Sequence, residues 1–363
     1  MDKPIYIGCI SGTSVDGLDL AAMRMEDGIW RFVAATTYPL NDQLQQALLE
    51  AGQVETMNID RHGELDARLG DFIGEQIVRF MTTHEIASNL VGAIGSHGQT
   101  IRHRPQNQSA FTMQIGDPNR IAEHTKITTV ADFRRRDMAA GGEGAPLVPP
   151  FHEVLFGQCS ERPVIVNIGG ISNVTLLGQL QLQGFDTGPG NCLMDSWIQR
   201  HRGESFDTDG AWARTGTLDS DLLQKLLSDP YFGLSGPKST GREYFNLPWL
   251  TPMLDDGSPA DIQRTLLELT AQCIVDAVKA LPEPATELII CGGGRLNGFL
   301  MERLASLSQL KVAPSETYGV DGDAIEAAAF AWLAAQTLAS LPGNAPGVTG
   351  AQGPRVLGAI YPA

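Results

Sequence analysis

Two glycine-punctuated turns, each set between apolar strand-like runs and lying about half the chain apart, constrain this sequence more than any other feature. The first is Ile5-Tyr6-Ile7-Gly8-Cys9-Ile10-Ser11-Gly12-Thr13-Ser14-Val15-Asp16-Gly17-Leu18-Asp19-Leu20, the second Val164-Ile165-Val166-Asn167-Ile168-Gly169-Gly170-Ile171-Ser172-Asn173-Val174-Thr175-Leu176-Leu177. Each reads as strand, tight polar turn, strand. Glycine allows positive φ and close approach of a ligand to the backbone, and the neighbouring hydroxyls and amides offer donors to phosphate oxygens. Either turn alone is compatible with an ordinary hairpin. Two of them, heading similar halves, point to a grip on a polyphosphate.

The order of elements repeats. After the first hairpin come a third strand at 30–37, helical patterns at 42–51 and 59–83, and a strand at 90–94 that ends in the polar turn Gly95-Ser96-His97-Gly98-Gln99-Thr100. In the longer helix Leu65, Leu69, Phe72, Ile73, Ile77 and Phe80 recur at the spacing of one helical face. After the second hairpin come a strand ending Gly184-Phe185-Asp186, helices at 191–199 and 261–281, and a strand at 287–291 that stops at Gly292-Gly293-Gly294. Gly8 to Gly95 spans 87 positions and Gly169 to Gly292 spans 123, so an insertion of about 36 is expected within 203–249. Glycine and proline concentrate at 141–150, which sets the expected boundary between an N-terminal domain at 1–148, joined by the tail 342–363, and a C-terminal domain at 149–341. The fold class is therefore α/β, with two similar domains.

A formal net charge of −16 over 363 residues excludes nucleic acid or an anionic membrane as the general partner. Residues 102–136 reverse that sign locally. Arg102, Arg104, Arg120, Lys126, Arg134, Arg135 and Arg136 stand there against Asp117, Glu123 and Asp132, which is +4, enough to hold a carboxylate or phosphate if it is more than a solvated face. Five scattered cysteines without C-x-x-C spacing fit free thiols in a reducing cytoplasm. The apolar run 324–338 carries Glu326 and Gln336 and reads as a packed helix, not a membrane span.

Neither G-x-x-x-x-G-K-[ST] nor a strand-end G-x-G-x-x-G is present, so both common nucleotide loops are unsupported. Asp16 and Asp19 flank the first hairpin and could hold a hydrated Mg²⁺, although Asp16 also suits an Asp-Gly turn. Gly292 and Gly293 would let backbone close over an adenine or ribose, or cap a helix. Asp186, placed at a strand end ahead of a helix, could take a proton from water or a hydroxyl; a turn aspartate bonded to its own backbone is the alternative. His97 reads as a backbone-bonded histidine or a site residue. Glu326 in a first helical turn is explained by the helix dipole or by a sugar contact. His97, His103 and His124 lack metal-ligand spacing.

The runs SGTSVDGLDLA (11–21), GSHGQTIRHRP (95–105), QIGDPNRIAE (114–123), TTVADFRRRDMAAGGEGAPLVP (128–149), NIGGISNVT (167–175), GFDTGPGN (184–191) and SGPKSTGREYFN (235–246) resemble the anhydro-N-acetylmuramic acid kinases of the sugar kinase, chaperone ATPase and actin superfamily. The resemblance implies two ribonuclease H-like, actin-like ATPase domains flanking an interdomain cleft. It further implies a cytoplasmic homodimeric enzyme of peptidoglycan recycling that uses ATP and Mg²⁺ to convert 1,6-anhydro-N-acetylmuramic acid to N-acetylmuramic acid 6-phosphate. ATP phosphates fall on Gly12, Thr13, Ser14, Val15, Asp16, Gly17, Leu18 and Asp19, joined in the clamp reading by Asn167, Gly169, Gly170, Gly292 and Gly293. Asp186 becomes the catalytic base, and His97, Thr100, Asp117, Arg120 and Glu326 contact the sugar. Two rival expectations are a kinase for another small sugar or acid and a non-catalytic ATP-driven binding module; the tail after Leu341 is too short for a peptide-binding domain.

Overall fold

The computed structural model describes residues 4–12, 15, 17–54, 56–177, 182–234 and 238–363, and its strands run through one order twice. In the first half β1 (Ile5–Ser11), β2 (Gly17–Glu26) and β3 (Ile29–Pro39) form an antiparallel meander, and β4 (Val91–Arg104) returns parallel to β1. β5 (Phe111–Ile115) folds back on β4, and β6 (Thr129–Ala131) lies parallel to it on the outer side. In the second half β7 (Pro163–Ile168), β8 (Ile171–Leu176) and β9 (Gln183–Pro189) repeat the meander, β10 (Glu287–Cys291) lies parallel to β7, and β11 (Lys311–Pro314) parallel to β10. β12 (Ala359–Tyr361) covers the edge at β6. Both sheets thus carry the order third, second, first, fourth, fifth, β3-β2-β1-β4-β6 and β9-β8-β7-β10-β11. This is the ribonuclease H-like order that the family resemblance implied, carried on the two halves whose duplication the sequence shows.

The chain divides into two compact units, Met1–Leu155 with Ala324–Ala363, and Phe156–Asp323. The boundaries expected at 148/149 and 341/342 therefore move. The second shift is the larger, because the alanine-rich helix Ile325–Leu338 packs on β1, β2 and β4 and so belongs to the first unit. Its fit depends on two glycines. A Cβ at Gly8 would fall on the carbonyl oxygen of Ala327, and one at Gly95 on that of Phe330, so the helix backbone lies directly against the strands. Alanine on the facing side makes this approach possible.

In the first unit the helix Ile59–Thr83 starts at Asn58, whose side chain accepts from the Asp60 and Arg61 amides, and it buries Leu65, Leu69, Ile73, Ile77 and Phe80. In the second, the helix Pro259–Lys279 buries Leu266, Leu269, Cys273 and Ile274 among the apolar residues of β7, β8 and β10. The expected insertion is built as short helices, Ser220–Leu227 the longest of them, within the second unit.

Two local expectations change. The polar turn at 95–100 is not a turn, because β4 continues through it to Arg104, paired with β1 on one side and β5 on the other. Gly98 supplies the necessary kink at φ 70°, where a Cβ would strike the carbonyl of Ile115. Asp186 lies in the interior of β9, opposite Asn173, not at its end.

Candidate active site

In the second unit the turn Gly169–Gly170 between β7 and β8 is braced from below. The amides of Asn191 and Cys192 donate to the carbonyls of Gly169 (2.8 Å) and Gly170 (3.1 Å), and the Asn191 side chain donates to Ile168 O at 3.2 Å. Two amides at the start of the helix Cys192–Arg202, those of Asn191 and Cys192, are used in this bracing. Gly292, at φ 72°, closes on the same turn, and a Cβ there would meet Asn167 Oδ1 at 2.5 Å. Asn167, Gly169, Gly170, Gly292 and Gly293 are thereby brought together.

Asp186 stands beside this turn through its β8 partner Asn173. Its backbone is fixed on both sides, the amide donating to Lys238 O at 2.9 Å and the carbonyl accepting from the Tyr231 hydroxyl at 2.8 Å. Its carboxylate accepts one bond at Oδ2, from the Thr240 amide at 3.0 Å. Partial burial outweighs that single bond and pushes the carboxyl pKa up to about 6. A carboxylate so tuned is a competent base near neutral pH, where an ordinary aspartate is too weak. Lys238 stacks its ammonium over the Tyr231 ring at 4.6 Å, and burial lowers its pKa.

Lys238, Thr240, Tyr231 and Arg242 were not singled out from sequence, although the run SGPKSTGREYFN contains three of them. The guanidinium of Arg242 lies against Gly170, where a Cβ would strike Nε. Next to Gly293 opens a cavity of about 380 Å³ lined by Asn191, Asp195, Phe206, Asp209, Leu296 and Asn297 among others.

In the first unit Gly12 starts the hairpin turn, its carbonyl accepting from the Val15 amide at 3.1 Å. Thr13, Ser14 and Asp16 lie outside the described residues. Val15, at φ 54°, and Leu18 bury their side chains, so only their backbones can face a ligand. Gly17 packs on Thr37, whose hydroxyl donates to Asp19 Oδ1 at 2.6 Å. Asp19 and Glu326 are close enough that their like charges interact. Among the described residues no group of three or more His, Cys, Asp and Glu side chains is arranged to hold a metal. Carboxylates at this hairpin suit a cation that keeps most of its water, as Mg²⁺ does.

His97 is buried with both ring nitrogens engaged. Nδ1 faces Gly98 O at 3.0 Å, and Nε2 accepts from Arg134 Nε at 2.9 Å. Burial and the adjacent guanidinium hold it well below the usual histidine range, so it is neutral with its proton on Nδ1. It orients Arg134, which also donates to Gly144 O at 2.8 Å and whose charge reaches Glu326. Desolvation raises the Glu326 carboxyl, with Arg134 opposing, although the side chain is solvent-accessible. Thr100 Oγ1 accepts from Gln114 Nε2 at 3.1 Å. Asp117 caps the helix Pro118–Thr125, and Arg120 is spent on Asp71, whose two oxygens it meets at 2.9 and 2.7 Å. Of the basic run 134–136, Arg134 is the one held in place, whereas Arg135 and Arg136 are exposed.

A family model described as anhydro-N-acetylmuramic acid kinase matches residues 4–363. A protein of Xanthomonas campestris pv. campestris named "Anhydro-N-acetylmuramic acid kinase" is 51% identical, the match covering 99% of this chain and 98% of that protein. One of the same name from Photobacterium profundum is 48% identical over 99% and 98%. Among solved structures, the activator of the 2-hydroxyisocaproyl-CoA dehydratase from Clostridium difficile with bound ADPNP aligns at TM-score 0.43 and 11% identity, over 92% of this chain and 97% of that one.

Proposed function

The chain belongs to the anhydro-N-acetylmuramic acid kinase family and is a phosphotransferase of that kind; from this premise we propose that Asp186 is the base that activates the attacking water. Water adds to the anomeric carbon of 1,6-anhydro-N-acetylmuramic acid and loses its proton to Asp186. The bridging oxygen leaves that carbon while staying on C6, and takes the γ-phosphoryl group of ATP. The products are N-acetylmuramic acid 6-phosphate, ADP and the proton, which returns to solvent. An inverting glycosidase needs a second carboxyl group to protonate the leaving oxygen, and here the phosphoryl group captures it instead. One carboxylate then suffices.

The observation that carries this reading is Asp186 beside the braced glycine turn, with one hydrogen bond on its carboxylate and a pKa of about 6. The backbone of Gly12 to Asp19 and the turn Gly169–Gly170 bind the ATP phosphates, with Gly292 and Gly293 beside the nucleoside. Mg²⁺, held through water by Asp16 and Asp19, would offset charge on the β- and γ-oxygens. Arg134, aimed by neutral His97, takes the lactyl carboxylate, and Glu326 accepts from sugar hydroxyls. Arg120, expected at the sugar, is paired with Asp71 at the surface, which leaves Arg134 as the guanidinium assigned here to the carboxylate. The enzyme works as a cytoplasmic homodimer, as the sequence resemblance implies; among the described residues no helix is long and apolar enough to cross a membrane.

Incubating the protein with ATP, Mg²⁺ and the anhydro sugar tests the reading. A product heavier by one phosphoryl group and one water is expected. Phosphorylation without addition of water, or ADP release with the sugar unchanged, contradicts it.

A further inference from the structure

Asp186 is held by residues remote from it in sequence. β9 is the last strand of its sheet, so the side of Asp186 that faces away from β8 has no ladder partner. Main-chain groups on such an edge ordinarily face water. Here both are taken, the amide by Lys238 O at 2.9 Å and the carbonyl by the Tyr231 hydroxyl at 2.8 Å. Two residues beyond Lys238, the Thr240 amide reaches the side chain and donates to Oδ2 at 3.0 Å. Three hydrogen bonds from Tyr231, Lys238 and Thr240 thus converge on this single residue. Among the described residues none reaches Oδ1.

The holding residues are themselves tied together. The Lys238 ammonium donates to Tyr231 O at 3.1 Å and lies 4.6 Å from the centre of the Tyr231 ring. The Tyr231 amide donates to Asp229 Oδ1 at 2.9 Å, and Asp229 also accepts from the Tyr244 hydroxyl (2.8 Å) and Trp249 Nε1 (2.9 Å). The Tyr231 ring is buried edge-on against Phe232 and Phe245. Its hydroxyl therefore reaches Asp186 from a packed aromatic cluster, which fixes the strand edge where solvent could not. Cys273, on the helix Pro259–Lys279, faces both Tyr231 and Lys238; burial keeps its thiol protonated, so it adds no charge to the cluster.

We propose that Tyr231 and Lys238 are positioning residues for the kinase reaction, holding the chain at 238–240 against Asp186 so that Oδ2 stays on the Thr240 amide and Oδ1 is the oxygen that takes the proton from water. The proposal rests on the reading of Asp186 as the base. Proton abstraction needs the accepting oxygen aimed at its target, and a carboxylate fixed at one oxygen and at both main-chain groups keeps that aim without spending the other oxygen.

Initial rates of the wild type, Tyr231→Phe, Lys238→Met and Asp186→Asn from about pH 5 to 9 test the proposal. Tyr231→Phe keeps the ring in its cluster and removes only the hydroxyl, and Lys238→Met keeps a stem over the ring without the charge. Each should lower kcat about tenfold, with KM for ATP and for the sugar within about twofold of wild type. Loosening the Thr240 amide from Oδ2 weakens a bond to the ionised form, so the acid limb of kcat/KM should move upward from about 6 by roughly half to one unit. An unmoved limb, whether or not kcat falls, overturns the positioning role. So does a rise in the sugar KM with kcat unchanged, which would make these residues part of the sugar site. Where either result accompanies an inactive Asp186→Asn, the base reading stands; turnover retained in Asp186→Asn overturns both.

Discussion

At the scale of single residues, the account turns on which charges are committed and which remain available. Arg120 and Arg134 both occur in the basic segment, and sequence alone could not separate them. The structure spends Arg120 on Asp71 at the surface and holds Arg134 with His97 and Gly144. Arg134→Ala should therefore raise KM for the anhydro sugar by 10- to 100-fold, the usual effect of losing a charged hydrogen bond of about 1.5–3 kcal/mol, with KM for ATP unchanged. Arg120→Ala should shift it by less than about fivefold, since exposed ion pairs contribute only about 0–1 kcal/mol. Initial-rate kinetics on the two variants separate the roles. Asp186 makes a prediction about pH. A base must be ionised to accept a proton, so kcat/KM should fall about tenfold per unit as pH drops below about 6. Stability runs the other way. A carboxyl whose pKa is raised on folding favours the native state at low pH, and this contribution is lost as pH rises through about 6. Asp186→Asn should then be more stable than wild type by about 1–2 kcal/mol at pH 8, with the gain shrinking towards pH 4, in thermal melts at both ends.

At the scale of elements, glycine has opposite consequences in different places. Gly63 sits at an exposed position inside the helix Ile59–Thr83 with nothing near its missing Cβ, so Gly63→Ala should stabilise by about 0.5–1 kcal/mol. Gly8→Val should abolish soluble folded protein, because the side chain would enter the backbone of the helix Ile325–Leu338. Denaturant melts of the first and expression of the second check both. The elements themselves were largely legible. The helix at 59–83 and the strand at 287–291 have the bounds that apolar spacing gave them. The failures have a common cause in pairing that local sequence does not show. Gly95 to Thr100 looks like a turn, yet β1 and β5 supply partners on both sides and carry the strand through. Asp186 looks like a strand end, yet the segment at Lys238 bonds its amide and β8 pairs with it. For the same reason Lys238, Thr240 and Tyr231 were invisible as neighbours of Asp186, being some 45 to 54 positions away.

At the scale of the whole molecule, a duplicated module explains the chain, and its C-terminal tail completes the first copy. Asp137 is fully buried, and its carboxylate accepts from the Gly144 amide (2.9 Å), Asn344 Nδ2 (2.7 Å) and Thr349 Oγ1 (2.8 Å), tying the tail to the first unit beside β12. Asp137→Ala strands three donors at once. It should cost about 3 kcal/mol or more and expose the segment after Leu341 to limited proteolysis, with Phe156–Asp323 protected longer. The sequence showed the duplication, but assigned the helix Ile325–Leu338 to the wrong copy, because continuity along the chain gives no hint that a helix crosses back. The catalytic claim is tested most directly by the turnover of Asp186→Asn at saturating ATP and anhydro sugar. Loss of kcat by 10²- to 10⁴-fold with ADP affinity within about twofold of wild type is the predicted result, and a variant keeping more than about a tenth of the wild-type rate contradicts the role of Asp186 as base.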